Sequence, residues 1–208
     1  MRLSPPAPAE RNPSVSKPSP FPVIALASVS LVSLEIVWTR IFSAEFYYMF
    51  AFLILSLAVL GLGLGGLALR LCPWLQEPKR LGPYLLLTAL LALASPILVL
   101  HLGLEFTQVL GGWAMFGRLL LTILLLGSAF FTGGMALSLL FRGNHAEMPR
   151  LYMADLLGAS LGVFAAILLM NLLGTPAATL LLALPLALAA LLAGGMKTRT
   201  LSALVALA

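Results

Sequence analysis

Charge is what this chain has least of. Asp, Glu, Lys and Arg make up 9% of its 208 residues, against 61% hydrophobic. Soluble domains carry about a quarter charged residues. A water-soluble fold needs polar side chains for its exterior, and there are too few here to cover one. The exterior is therefore expected to be a lipid bilayer.

Cysteine is nearly absent too. Cys72 stands alone, which excludes an intrachain disulfide. The two histidines, His101 and His145, fall in different polar gaps. His101, Glu105 and Gln108 share one gap, but no Cys/His spacing there or elsewhere suits zinc. Neither a metal nor a cofactor is expected. No nucleophile stands beside a base, so catalysis is not expected either.

Long apolar runs dominate what is there. Phe46 to Arg70 carries no charge between its ends. It exceeds the roughly 20 residues that cross a bilayer. Six such spans are read: Phe21–Phe42, Phe46–Leu69, Leu81–Leu100, Trp113–Leu140, Leu151–Leu173 and Pro176–Leu192. The expected fold is all-α, a polytopic membrane bundle of six transmembrane helices over residues 21–193. Residues 1–20, rich in Pro, Ser and basic charge, read as a disordered tail. Residues 194–208 read as a short C-terminal tail. The first run is too long for a cleaved signal peptide and reads as an uncleaved anchor. Pro96 and Pro185 are expected to kink the third and sixth spans.

The few charges are arranged by side. Taking the gaps alternately, one side collects Arg2, Arg11, Lys17, Arg70, Lys79, Arg80, Arg142, Arg150, Lys197 and Arg199. The other receives only Arg40 and Arg118. The positive-inside rule then puts both termini in the cytoplasm of a cell with this protein in its plasma (inner) membrane. The net charge of +5 reflects topology, with at most three basic residues to a gap, and nucleic acid is not an expected partner.

Small residues mark close helix contacts. Gly61, Gly63, Gly65 and Gly66 end the second span, and Ala154, Gly158, Gly162 and Ala166 recur every fourth residue in the fifth. Such stripes let helix backbones approach in lipid. GLGLGG formally contains the dinucleotide fingerprint, but it lies in a spanning run and not between a strand and a helix, so packing is the reading. Gly61–Arg70 also lines up with Ala129–Ser138, pairing Gly65-Gly66 with Gly133-Gly134. That likeness suggests two three-helix halves, which would be inverted as in many transporters.

Polar residues within spans are the candidate site: Glu35, Arg40, Arg118, Asp155 and Asn171. A carboxylate at membrane depth is costly unless it is paired, protonated or facing water. Glu35 and Arg118 are expected to bridge the first and fourth spans. The rival is a cation site at Glu35 beside Trp38, Tyr47 and Tyr48, although those aromatics read first as an interfacial belt. Asp155 reads first as a structural carboxylate, hydrogen-bonded to a neighbouring helix end or paired with Arg142 or Arg150. Its alternative is a cation or proton site. Asn171 is expected to cap its span or to bond across helices.

Four stretches carry a family resemblance: Glu35–Arg40 (EIVWTR), the GLGLGG run, FFTGGMAL from Phe130, and LYMADLLGASLG from Leu151 to Gly162. Together, over about residues 22–193, the chain resembles the membrane domain of spermidine synthase-like multi-pass proteins. In those, a helical bundle precedes a domain like polyamine aminopropyltransferases. Glu35, Arg40 and Asp155 match residue types typical of that family. The sequence runs to Ala208 without a strand–Gly-rich loop–helix unit or an acidic polyamine-binding cluster, so aminopropyl transfer is not expected.

Two functions stay open. One is a small transporter or ligand-binding membrane domain, with a small cationic metabolite as its ligand. The other is a non-catalytic anchor or scaffold subunit whose protein partner, such as a soluble domain, is supplied in trans.

Overall fold

The computed structural model describes residues 19–46, 48–103 and 112–194. The expected tails, apart from Ser19, Pro20 and Gly194, lie outside these, as do Tyr47, Glu105, Gln108 and the basic residues Arg2, Arg11, Lys17, Lys197 and Arg199. The described residues form an all-α bundle with no strands: α1 (Pro20–Glu45), α2 (Met49–Leu71), α3 (Leu81–His101), α4 (Trp113–Gly143), α5 (Met148–Leu173) and α6 (Thr175–Ala193). All six are long and apolar enough to cross a membrane. A spanning backbone must satisfy its own polar groups, so uninterrupted apolar runs become helices. Each read span agrees with its helix to within three residues at either end.

The connections follow local chemistry. Two short 3₁₀ turns, Pro73–Gln76 and Pro78–Arg80, join α2 to α3. Gln76 Nε2 donates to the Leu69 carbonyl at 2.6 Å and Tyr84 Oη to the Leu75 carbonyl at 3.1 Å, tying this turn to the helix ends. Gly174 alone separates α5 from α6, at φ 80°, a backbone region that favours glycine. Pro96 and Pro185 lie inside α3 and α6, which remain continuous through them.

Helix α1 runs through the core. Trp38, Phe42, Ile24 and Leu34 of α1 are buried, together with Phe130 and Leu126 of α4. Helix α1 packs chiefly on α5 and α6, α4 chiefly on α2 and α3, and α3 packs on α6. Exchanging α1–α3 for α4–α6 maps these main contacts onto one another. The first helix of each half lies on the second and third helices of the other half. Smaller contacts of α1 with α2, and of α5 with α6, have no counterpart of similar extent.

Small residues make the two tightest seams. A Cβ built on Gly61 would lie 2.7 Å from Phe130 Cβ, and one on Gly65 would strike the Phe131 carbonyl oxygen and come 2.9 Å from the Gly134 carbonyl carbon. Gly134 in turn faces Leu62 and Gly66 faces Ser138, while the neighbouring Gly133 faces Leu31 of α1 outside this seam. On the other seam Gly158 abuts the Ala25 backbone, and a Cβ on Gly162 would sit 2.5 Å from the Val29 carbonyl oxygen. Ala154 is only partly buried against the same core.

These seams correct the register of the internal likeness. Gly61–Arg70 and Ala129–Ser138 do not occupy equivalent places in two halves; they face each other across α2 and α4. Under the exchange, α2 corresponds to α5, so the small-residue stripe of α2 is the counterpart of that of α5. The two aligned stretches are alike because both sides of one close helix contact require small residues.

Candidate functional site

One run of polar groups within the spans lies along α1. Ser28, Ser30 and Ser33 are buried and Glu35 is half-buried. Ser33 Oγ donates to the Gly162 carbonyl at 2.8 Å, and the missing Cβ of Gly162 is what lets the two helices come that close. Ser28 Oγ lies 2.9 Å from the Ile24 carbonyl and also within hydrogen-bonding distance of the Asp155 carboxylate on α5. A hydroxyl has one proton and two acceptor lone pairs. Ser28 therefore links its own helix turn to Asp155 on α5 through one hydroxyl.

Ser30 Oγ is buried with no partner among the described residues. Ser33→Ala is expected to lower stability in detergent by about 1 kcal/mol, whereas Ser30→Ala leaves it unchanged or raises it, because only the first breaks a bond. Thermal unfolding of the two variants side by side checks this.

Asp155 thus bonds to the Ser28 side chain in the body of α1 rather than to a helix end, and makes no pair with Arg142 or Arg150. The one ion pair among the described residues is Arg80–Glu77, at 3.6 Å. The expected Glu35–Arg118 bridge is therefore not made. Helix α4 lies mainly on α2 and α3 and touches α1 little. Arg118 is exposed and donates to the Gly103 carbonyl at the end of α3, 3.2 Å away. Arg40 is exposed as well. Asn171 is exposed near the end of α5 and bonds to no described residue; the α5 end is closed instead by the Gly174 amide donating to Met170.

Trp38 overturns the reading of an aromatic belt at this point. It is buried, with its ring edge-on to Phe130 at 5.3 Å, and its Nε1 has no partner among the described residues. Tyr48, by contrast, is exposed. Ser28, Glu35 and Thr39 are seven and four residues apart and share one face of α1. Along the helix axis Glu35 stands about 10 Å from Ser28, where Asp155 is held. Two half-buried carboxylates thus follow one helix face.

No family model, curated protein or solved structure matches the chain. The site stands on its own residues. Among those described, no three of His, Cys, Asp and Glu come together in a group able to hold a metal ion. Ser28 and Ser33 are the residues that sequence reasoning passed over. Their signal was available: three serines lie within six residues of one apolar run (SVSLVS), where each hydroxyl needs a partner.

Proposed function

We propose that this chain is a small transport domain that moves a small cationic metabolite or a proton past Glu35 and Asp155. The observation that carries this reading is the exchange of packing between halves, with α1 on α5 and α6 and α4 on α2 and α3. Three-helix halves of a six-span bundle start on opposite sides of the membrane. That is the inverted arrangement by which many transporters present one site to either side in turn. The carboxylates give such a site its charge preference. The distribution of basic residues supports both termini in the cytoplasm. The resemblance to spermidine synthase-like membrane domains supports an amine as the cation, through Glu35 and Asp155.

Uptake of radiolabelled amines into proteoliposomes, with and without a pH gradient, tests the proposal. Glu35→Gln is expected to cut uptake at least about tenfold at normal protein levels, because the amide carries no charge and takes up no proton. Uptake equal to wild type would remove Glu35 from the site. No uptake by the wild-type chain, together with a stoichiometric protein partner in a mild-detergent preparation, would favour the anchor subunit instead.

A further inference from the structure

A cleft of about 570 Å³ opens where α2 and α4 end; Arg70, Arg142, Gln76, Ser138 and Gly66 line it beside the apolar Leu69 and Pro73. It lies apart from Glu35 and Asp155, on the side of the bundle that also carries Lys79, Arg80 and Arg150. Gly66 has no side chain, so the floor of the cleft reaches the Ser138 hydroxyl, 2.8 Å from where a Cβ would stand. Ser138 Oγ bonds to no described residue.

Both arginines are exposed, and neither is in an ion pair among the described residues. Each sits in the last turn of its helix, whose C-terminal end carries about half a negative charge. Two guanidinium groups against two half charges leave about one positive charge uncancelled. Gln76 also covers the Leu69 carbonyl, one of the acceptors that would repel an anion from the cleft. Two guanidinium forks, a carboxamide and a hydroxyl suit a phosphate group, which takes paired N–H donors. No carboxylate lines the cleft.

The outer face of α2 points to the source of that phosphate. Leu60, Leu64, Leu67 and Leu71 are all exposed. At spacings of four, three and four they form one stripe that runs from the helix interior to the level of the cleft. We propose that this cleft holds the phosphate of an anionic phospholipid headgroup, with an acyl chain lying along the leucine stripe of α2. Basic pockets between helices on the basic side of a membrane protein suit such headgroups.

Native mass spectrometry of the full chain in detergent tests this, with phosphatidylglycerol, phosphatidylcholine or inorganic phosphate supplied at equal concentration. Phosphatidylglycerol is expected to stay bound one to one, at least about fivefold better than phosphatidylcholine. Arg70→Gln and Arg142→Gln are each expected to weaken its retention about fivefold and to act together, whereas Lys79→Gln on the same side leaves it unchanged. Retention of inorganic phosphate without any preference for the lipid would assign the cleft to a soluble phosphate compound and overturn the lipid. Undiminished lipid retention in the double variant would overturn the site itself. If that variant does not accumulate, Arg142→Lys serves, because it keeps the charge and loses the fork. Retention as strong as wild type in Arg142→Lys would again count against the site.

Discussion

Replacing Gly158 by valine is expected to prevent the bundle from accumulating in folded form. A Cβ at this position meets backbone, not the flexible end of a side chain: the Ala25 carbonyl oxygen, and its Cα at 2.9 Å. Backbone cannot rotate aside, so α5 has to move off α1. That movement breaks the Ser33–Gly162 and Ser28–Asp155 hydrogen bonds along the same seam. Overpacking a tight site costs about 1–3 kcal/mol in soluble cores, and losing the bonds adds to it. Gly158→Ala, with one methyl, should fall within that range. Gly65→Ala should do the same on the opposite seam, where its Cβ strikes Phe131. The control is Gly63→Ala, since nothing lies within 4 Å of a Cβ there. Alanine also favours a helix over glycine by about 1 kcal/mol. Size-exclusion profiles after graded heating in detergent separate these outcomes. A Gly158→Val protein as heat-stable as wild type would mean that α1 and α5 are not in backbone contact.

The second large effect is expected at Asp155. Asp155→Asn keeps a carbonyl oxygen that can accept from Ser28, so stability should change little. It removes the ability to ionise, so transport should fall at least about tenfold if the carboxylate carries a proton or a cation. Asp155→Leu loses both properties and leaves Ser28 with its intrahelical bond alone. That variant should be destabilised by about 1 kcal/mol or more. A cycle combining Ser28→Ala with Asp155→Leu should show coupling of at least about 0.5 kcal/mol, because the two residues share one bond. Unchanged transport in Asp155→Asn, with coupling present in the cycle, would make the carboxylate structural only.

These effects concern contacts that lie far apart along the chain, and that separates what could be read early from what could not. The six spans were legible because a transmembrane helix satisfies its backbone within itself and shows its length as an apolar run. Pro20, Pro149 and Pro176 at helix starts, and Gly174 at its positive φ, are equally local signals. The glycine stripes of α2 and α5 could be identified as packing faces for the same reason. Their partners could not. In lipid the faces of a helix are almost all apolar, so hydrophobic pattern does not say which helix lies against which. Hence the likeness of Gly61–Arg70 to Ala129–Ser138, two faces of one contact, resembled a repeat, and opposite charges suggested a Glu35–Arg118 bridge. Trp38 was placed at an interface because indole often sits there, yet here its ring fills the space beside Phe130. By itself the sequence determined that this is a six-helix membrane protein with most of its basic residues in alternate gaps between spans. Tertiary structure decided that α1 lies on the other half's helices, and that Ser28 meets Asp155 across 127 residues. Those contacts depend on helix faces meeting in space, and no local periodicity records them.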